Sequence, residues 1–455
     1  MNKYTPIIGL EVHVELKTKS KMFCSCSAEY FGKEPNTHTC PVCLGLPGAL
    51  PVPSKLAIEW CIRIALALNC KINEYSKFDR KNYFYPDLAK GYQISQYDLP
   101  FGHDGHIILK SGRRIGITRV HMEEDTGKLS HQEIDGKKVS LIDFNRSGVP
   151  LVEIVTEPDF DNALDVKEYL ERLQQIVRYL DVANADMDKG EMRLEPNISL
   201  TTKPGTLPNY KVEVKNINSF KFVEKAVNFE IDRQKEILES GATPAQETRG
   251  WNEDKGKTFS QRSKEEAHDY RYFPEPDIPP IHLPEGAVGR LKAQVPELPD
   301  KKLARFEKEY ALPTYDAEIL TREKGLADYF EDCIQTINKL HPKRHHKVDS
   351  TLVVPSTLNP KTLANWIINK KIDYEKVSVE QLLKQISAGR QTVTIDEKEL
   401  AKIISDVISE NEKAVTDYKN GKETSLMFLL GQTMKKIGKK VDTKIILVQI
   451  KKQLS

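Results

Sequence analysis

The sequence lacks any apolar run long enough to cross a bilayer. A spanning helix needs roughly 18 uninterrupted apolar residues, whereas the longest apolar-rich stretch, 56–68, contains Glu59 and Arg63 and predicts a buried helix. The first residues also lack the basic, apolar and small-residue succession of an export signal, so a cytoplasmic address is expected. Charge of one sign is missing as well. Lys and Arg total 68 against 66 Asp and Glu, a net +2, so the chain as a whole is not a trap for polyanions. No Walker-type or dinucleotide-binding glycine loop is present, and any nucleotide must be held in another way. Self-similarity at solenoid periods is absent. Cysteine is scarce, 7 in 455 residues, and a disulfide framework is not expected in a long chain without an export signal.

Length alone implies two or three domains. Up to about residue 290 the chain is rich in Gly, Pro, Asp and β-branched residues, with strand-like runs at 7–16, 115–122, 139–144, 151–155 and 211–214. Two helices interrupt them. In the first, Val166, Tyr169, Leu170, Leu173, Ile176, Val177 and Leu180 form one apolar stripe. The second runs over about 222–239, with Gly241 at its C-terminal end. Short strands with a few long helices predict an α+β domain. Seven prolines between 274 and 299 block both helix and ladder and mark a boundary, after which the chain turns helical. A further change near Glu410 leaves two helical patterns to the end, the last with Asp442 as its N-cap. The expected division is 1–292, 293–408 and 409–455. Within 411–455 ten Lys face four acidic residues, a basic piece suited to a phosphate backbone or simply to solvent.

Four of the cysteines form two close pairs, Cys24-Ser25-Cys26 and Cys40-Pro41-Val42-Cys43, thirteen residues apart. Two tight loops of paired thiolates can close a tetrahedron around zinc, and four protein ligands leave no open position, so the role would be structural. Surface cysteines or a redox pair remain the plainer readings. Glu11, His13 and Glu15 would share one face of a strand whose other face carries Val12 and Val14. Such a face suits a cation shared with phosphates, and equally a solvated surface. The patch from His121 to Asp125 packs Glu123, Glu124 and Asp125 together, tolerable if solvated or if they share a cation. A third polar stretch, 186–193, leads to Glu195 and Asn197.

Several long strings then resemble one family, the B subunit of the tRNA-dependent glutamyl/aspartyl amidotransferase. They are GLEVHVEL (9–16), CPVCLGLPGALPVPS (40–54), RKNYFYPDLAKGYQISQYD (80–98), HMEEDTGKL (121–129), DFNRSGVPLVEIVTEPD (143–159), VEVKNINSF (212–220) and RSKEEAHDYRYFPEPDIPP (262–280). The stretch NADMDKGEMRLEPNISL (184–200) is similar, but Leu194-Glu195-Pro196 departs from the family pattern. The resemblance implies a glutamine synthetase-like antiparallel sheet in the N-terminal domain, then a helical domain and a small tail domain that contacts tRNA. It implies a heterotrimer with an amidase A subunit and a small C subunit. It also implies ATP and Mg2+, beside the structural Zn2+ that the cysteine spacing suggests, and mischarged tRNA(Gln), tRNA(Asn) or both as the bound RNA. By motif match Glu11, His13 and Glu124 are expected metal ligands, with Glu123, Glu195 and Glu213 behind them. Tyr83, Lys90, Arg146 and Lys215 are expected to contact phosphate or substrate, while it is the spacing alone that assigns Cys24, Cys26, Cys40 and Cys43 to zinc. His341, His345 and His346, in a stretch that departs from the family, read as surface. The competing reading is a non-catalytic, zinc-stabilised tRNA-binding subunit.

Overall fold

The computed structural model describes residues 3–203, 205–263, 270–340, 358–388, 396–438 and 443–454. Asp442, expected to cap the last helix, and His341, His345 and His346 lie outside them. From the N-terminus the elements are β1 (Thr5–Glu15), α1 (Lys55–Ala67), β2 (Lys71–Ile72), β3 (Tyr75–Ser76), β4 (Asp79–Asn82), β5 (Tyr92–Ser95), β6 (Gly102–Ile108), β7 (Arg114–Glu124), β8 (Lys128–Ile134), β9 (Lys137–Asp143) and β10 (Pro150–Thr156). Next come α2 (Ala163–Tyr179), β11 (Met192–Thr201), β12 (Val212–Lys215), α3 (Phe220–Glu239), β13 (Glu247–Asn252), β14 (Lys257–Ser263), β15 (Arg271–Pro274), β16 (Ile281–His282) and α4 (Ala287–Ala293). Among the described residues the rest is helical: α5 (Pro299–Tyr310), α6 (Thr314–Leu320), α7 (Lys324–Leu340), α8 (Pro360–Asn369), α9 (Val379–Ala388), α10 (Glu397–Glu410), α11 (Glu412–Lys419), α12 (Thr424–Ile437) and α13 (Thr443–Leu454).

The class is α+β. Nine strands form one sheet in the order β14-β13-β12-β11-β1-β10-β7-β6-β2. All its pairs are antiparallel except β12 with β13, which are joined through α3 and run parallel, so the sheet is mixed. Strand alternation divides it into two faces. One carries Val12, Val14, Val120, Met122, Val152, Ile154, Leu194 and Ile198 into a core shared with α1, α2 and α3. The helices start where their caps say. The Asn162 side chain accepts from the Asp165 amide at the head of α2, and Ser219 does the same from Phe222 at α3. At the far end of α3, Gly241 takes a φ of 85°, the left-handed position a glycine fills without strain.

Contacts divide the chain into two units, Met1–Ala304 with Arg322–Lys324, and Arg305–Thr321 with Gly325–Ser455. The proline-rich stretch 274–299 belongs to the first of these. It supplies β16 and α4, Ile278 and Leu291 enter the core, and Glu275 forms a bidentate pair with Arg80 at 2.7 and 2.8 Å. Proline there ends ladders without releasing the chain from its core. In the second unit Phe306, Tyr310 and Phe330 pack ring against ring at 5.2 to 5.4 Å. The C-terminal helices α10, α12 and α13 gather Leu400, Ile404, Val407, Leu429, Ile446 and Ile450 into a separate core. The two helical patterns expected after Glu410 prove to be three, because Gly421, with a φ of 90°, separates α11 from α12. No helix among the described residues is long and apolar enough to cross a membrane.

Candidate functional site

The second face of the large sheet is polar, and register dictates which residues meet there. His121, Glu153, His13 and Arg193 stand in one row across β7, β10, β1 and β11. Two residues along, Glu11 stands between Val155 and Glu195. One more step pairs Asn197 with Glu213 and Glu213 with Thr248. Side chains directly opposite on neighbouring strands lie about 4.5–5.5 Å apart at Cβ, so the rows become contacts. Of these, Glu11, His13, Glu153, Arg193, Glu195, Glu213 and Thr248 line a cavity of about 1440 Å³, together with Lys81, Tyr83, Glu123, Asp125, Lys211, Lys215, Tyr270 and Tyr272.

Two neighbouring acidic groups result. In the first, donor atoms of His13, Glu123 and Glu153 all lie within 4.8 Å of one another. Glu153 is shared by two imidazoles, His13 at 3.5 Å and His121 at 3.2 Å. Burial opposes a charge on His13, yet Glu153 beside it, then Glu195 and Glu123, lift its pKa to about 9. Burial likewise opposes the charge on Glu123, but Lys81 at 3.4 Å and His121 bring it down to about 2. In the second group donor oxygens of Glu11, Glu195 and Glu213 meet the same 4.8 Å limit. Burial first, then Glu153 and Glu195, raise Glu11, as expected of a carboxylate among like charges. Lys215 reaches Glu195 at 2.8 Å and Glu213 at 3.6 Å. Asn197 donates to Glu11 at 3.0 Å, while its own buried Oδ1 has no hydrogen-bond partner. Such an orphaned oxygen beside three carboxylates fits a hard divalent cation, which takes oxygen donors.

The cysteines form a knuckle next to this sheet. Leu44 N donates to Cys40 O, Gly45 N to Val42 O and Leu46 N to Pro41 O, a tight turn closed by Gly45 at a φ of 66°. Sulfurs of Cys24, Cys26, Cys40 and Cys43 lie within 4.8 Å of one another, with Cys40 and Cys43 at 3.9 Å. Four Zn–S bonds of about 2.3 Å at tetrahedral angles separate the sulfurs by about 3.8 Å, so the set is compatible with structural zinc. Thiol donation from Cys24, the Cys40 amide and nearby Lys21 pull Cys43 down to about 4 despite burial. Lys21 is fully buried, and its ammonium donates to His38 O at 2.7 Å and lies 3.6 Å from Cys43 Sγ. A buried cation there offsets the negative charge of four thiolates around one divalent ion.

Residues 6–288 match the family model of the GatB/GatE catalytic domain. The chain belongs to the GatB/GatE family. Residues 360–454 match a second model, the GatB domain. Over all of both chains the sequence is 45% identical to the B subunit of the aspartyl/glutamyl-tRNA(Asn/Gln) amidotransferase of Thermoanaerobacter pseudethanolicus. The corresponding B subunits of Thermosipho melanesiensis and Thermotoga petrophila are each 44% identical, over 97% and 95% of both chains.

In this GatB/GatE chain the motif residues divide between places. Glu11, His13, Glu123, Glu195, Glu213, Tyr83 and Lys215 all line the large cavity. Glu124 does not. As the neighbour of Glu123 in β7 it points to the other face, where it accepts from the Ile94 amide at 2.9 Å and pairs with Lys90 at 2.5 Å. Both line a smaller cavity of about 180 Å³ beside Cys24 and Cys43. Arg146 donates to the carbonyls of Thr126 and Gly127 and lies 3.7 Å from Asp125. The crowded acids 123–125 are thus not a solvated turn: each has its own cation, Glu123 and Asp125 line the large cavity, and Glu124 lies apart from them. Sequence reasoning passed over Glu153 and Lys81, and met His121 and Arg193 only as the ends of polar stretches, without a role. A signal for Glu153 exists: it is the lone charge in an apolar run, between Val152 and Ile154.

Proposed function

We propose that the chain holds a mischarged Glu-tRNA(Gln) or Asp-tRNA(Asn) and, using ATP, converts the side-chain carboxylate of the attached amino acid to the amide. The name its relatives carry supports the substrate class. The observation that carries the chemistry is the pair of acidic groups side by side in one cavity of a polar sheet face. A free carboxylate acylates poorly, because its leaving group would be oxide. In the proposed sequence a carboxylate oxygen attacks the γ-phosphorus of ATP and ADP departs. Ammonia then attacks the carbonyl carbon, the C–O bond to phosphate breaks, inorganic phosphate leaves, and nitrogen loses a proton to a nearby base.

His13, Glu123 and Glu153 would hold one Mg2+, and Glu11, Glu195, Glu213 and Asn197 a second. Bound magnesium supplies positive charge that neutralises the phosphates. Lys81, Arg193, Lys211 and Lys215 line the same cavity and orient anionic substrate groups, and Tyr83 stands beside them. Glu124 with Lys90, and Arg146 with the 125–127 turn, brace the walls. Zinc in the four-cysteine knuckle is structural. Ammonia comes from an amidase A subunit, and a small C subunit completes a cytoplasmic heterotrimer. The domain roles we propose are catalysis for 1–292, a helical domain for 293–408 and tRNA contact for the basic tail 409–455.

The test uses the assembled complex, mischarged tRNA, ATP, Mg2+ and glutamine. Glu11→Ala is expected to abolish amide formation while leaving tRNA binding intact. Unchanged amidation in that variant would overturn the metal assignment, and it would favour a subunit that only docks tRNA.

A further inference from the structure

One wall of the large cavity is aromatic, and the proposed chemistry leaves it unused. It is built on a small three-stranded sheet in the order β15-β4-β5. There Tyr272 stands opposite Lys81 and Lys81 opposite Gln93, so all three share one side, and all three line the cavity. Alternation sends Phe273 to the other side, over Arg80 at 5.8 Å. On the cavity side Tyr97 stacks on Tyr272, with ring centroids 4.3 Å apart and planes 16° from parallel. Tyr270 meets Tyr83 edge-on at 5.6 Å. Neither ring is tucked away: Tyr97 is 54% and Tyr270 48% exposed. Large rings left open inside a charged cavity call for a flat apolar partner. Lys81 fixes where the rest of that partner lies. Its ammonium sits 5.0 Å over the Tyr270 ring and 3.4 Å from Glu123, so the aromatic wall adjoins the first acidic group through a cation.

We propose that Tyr97, Tyr270 and Tyr272 form a stacking platform for an adenine base whose charged end reaches past Lys81 to the acidic groups. The inference rests on the transamidation reading, in which both large substrates carry adenine. ATP has one, and the 3′-terminal nucleoside of the tRNA, which bears the amino acid, is another. Stacking on a ring face needs no hydrogen bond from the tyrosine hydroxyl. Ring and hydroxyl can therefore be separated by mutation.

The experiment compares wild type, Tyr97→Ala, Tyr97→Phe, Tyr270→Ala and Tyr270→Phe in the full complex. The KM for ATP is measured at saturating mischarged tRNA, and the KM for tRNA at saturating ATP. Binding of a fluorescent adenine nucleotide is measured without turnover. Each Ala variant is expected to raise one of the two KM values roughly ten- to a hundredfold, and each Phe variant to keep the wild-type value. The KM that rises names the source of the base. Unchanged KM values in active Ala variants overturn the platform and leave the transamidation reading standing. So does an equal loss in Phe and Ala, which would assign the hydroxyl instead. Failure of the Ala chains to assemble with their partners would make the wall a protein contact and overturn it too. A wild type that binds adenine through these rings but forms no amide would sink the reaction and keep the platform.

Discussion

Glu153 stands between two histidines, one from each neighbouring strand, and is the nearer carboxylate to both, at 3.5 and 3.2 Å, with Glu123 at 3.9 and 3.5 Å. Glu153→Gln keeps the volume and removes the charge. Amidation by the complex is expected to fall about a hundredfold or more, since losing even an outer partner of a metal ligand costs up to about a hundredfold and Glu153 is itself a proposed ligand, with a raised Mg2+ requirement and unchanged zinc content. An unaltered Mg2+ titration would show that Glu153 is only a packing residue. The cysteines divide in the same residue-by-residue way. Burial pushes Cys70 and Cys333 up to about 12, and Cys61 is moved in the same direction. A raised pKa keeps each as the unreactive thiol at pH 8. Iodoacetamide at pH 8 should therefore leave these three intact in the folded protein. Chelation should open Cys24, Cys26, Cys40 and Cys43 to it, and mass spectrometry of the labelled peptides decides the matter. Residue types and spacing make the knuckle and Glu11 with His13 legible in the sequence. The partition of Glu123 and Glu124 is harder to read, because it depends on where β7 begins and which face its neighbours bury.

Among the elements, the outer strands are held in an unusual way. Glu230 of α3 is fully buried and accepts from Arg233 at 2.6 Å, Gln234 at 2.9 Å and Thr258 at 3.1 Å, with Arg249 of β13 at 3.6 Å. Gln234 in turn holds Ile198 O and the Tyr210 hydroxyl. This polar network lies behind β11, β13 and β14, and on the cavity side Thr248 of β13 donates to Glu213 at 2.7 Å. The parallel pair β12 and β13 spans only four residue pairs, so the network fixes a register that few ladder bonds would. Removing one member of a buried ionic group costs about 3–5 kcal/mol. Glu230→Ala should accordingly speed amide exchange in β13 and β14 well ahead of β1 and β10, as read by hydrogen exchange. Equal protection in both pairs would deny the network this role. The parallel pair is readable only as a strand–helix–strand crossover, and no strand is legible after the twenty-residue helix, so the pattern supports α+β and the antiparallel sheet rests on the family resemblance alone. The strands of the sheet's centre, by contrast, announce themselves through alternation.

For the whole molecule, the proposed chemistry makes the chain dependent on others for nitrogen. Supplied with mischarged tRNA, ATP and an ammonium salt, the isolated chain is expected to form amide, and with glutamine in place of ammonium it should form none. Amide from glutamine alone would mean that this chain carries its own amidase. The C-terminal helices have a core of their own, and their surface is lysine-rich. Deleting 397–455 should raise the KM for tRNA about tenfold or more, with a shallower salt dependence, and should leave zinc content untouched. An unchanged salt slope would place the phosphate contacts elsewhere. The two-faced sheet has one more consequence, for how such a gene can change in length over time. A single codon inserted within Thr5–Glu15 would turn Glu11 and His13 into the oily layer, and two would restore the face but slide every partner by one row. Tolerated insertions and deletions must therefore collect in the turns. The tip of the β8–β9 hairpin, where exposed Asp135 and Gly136 take φ values of 50° and 73°, is a position where lineages can diverge in length, or an experimenter can place a tag.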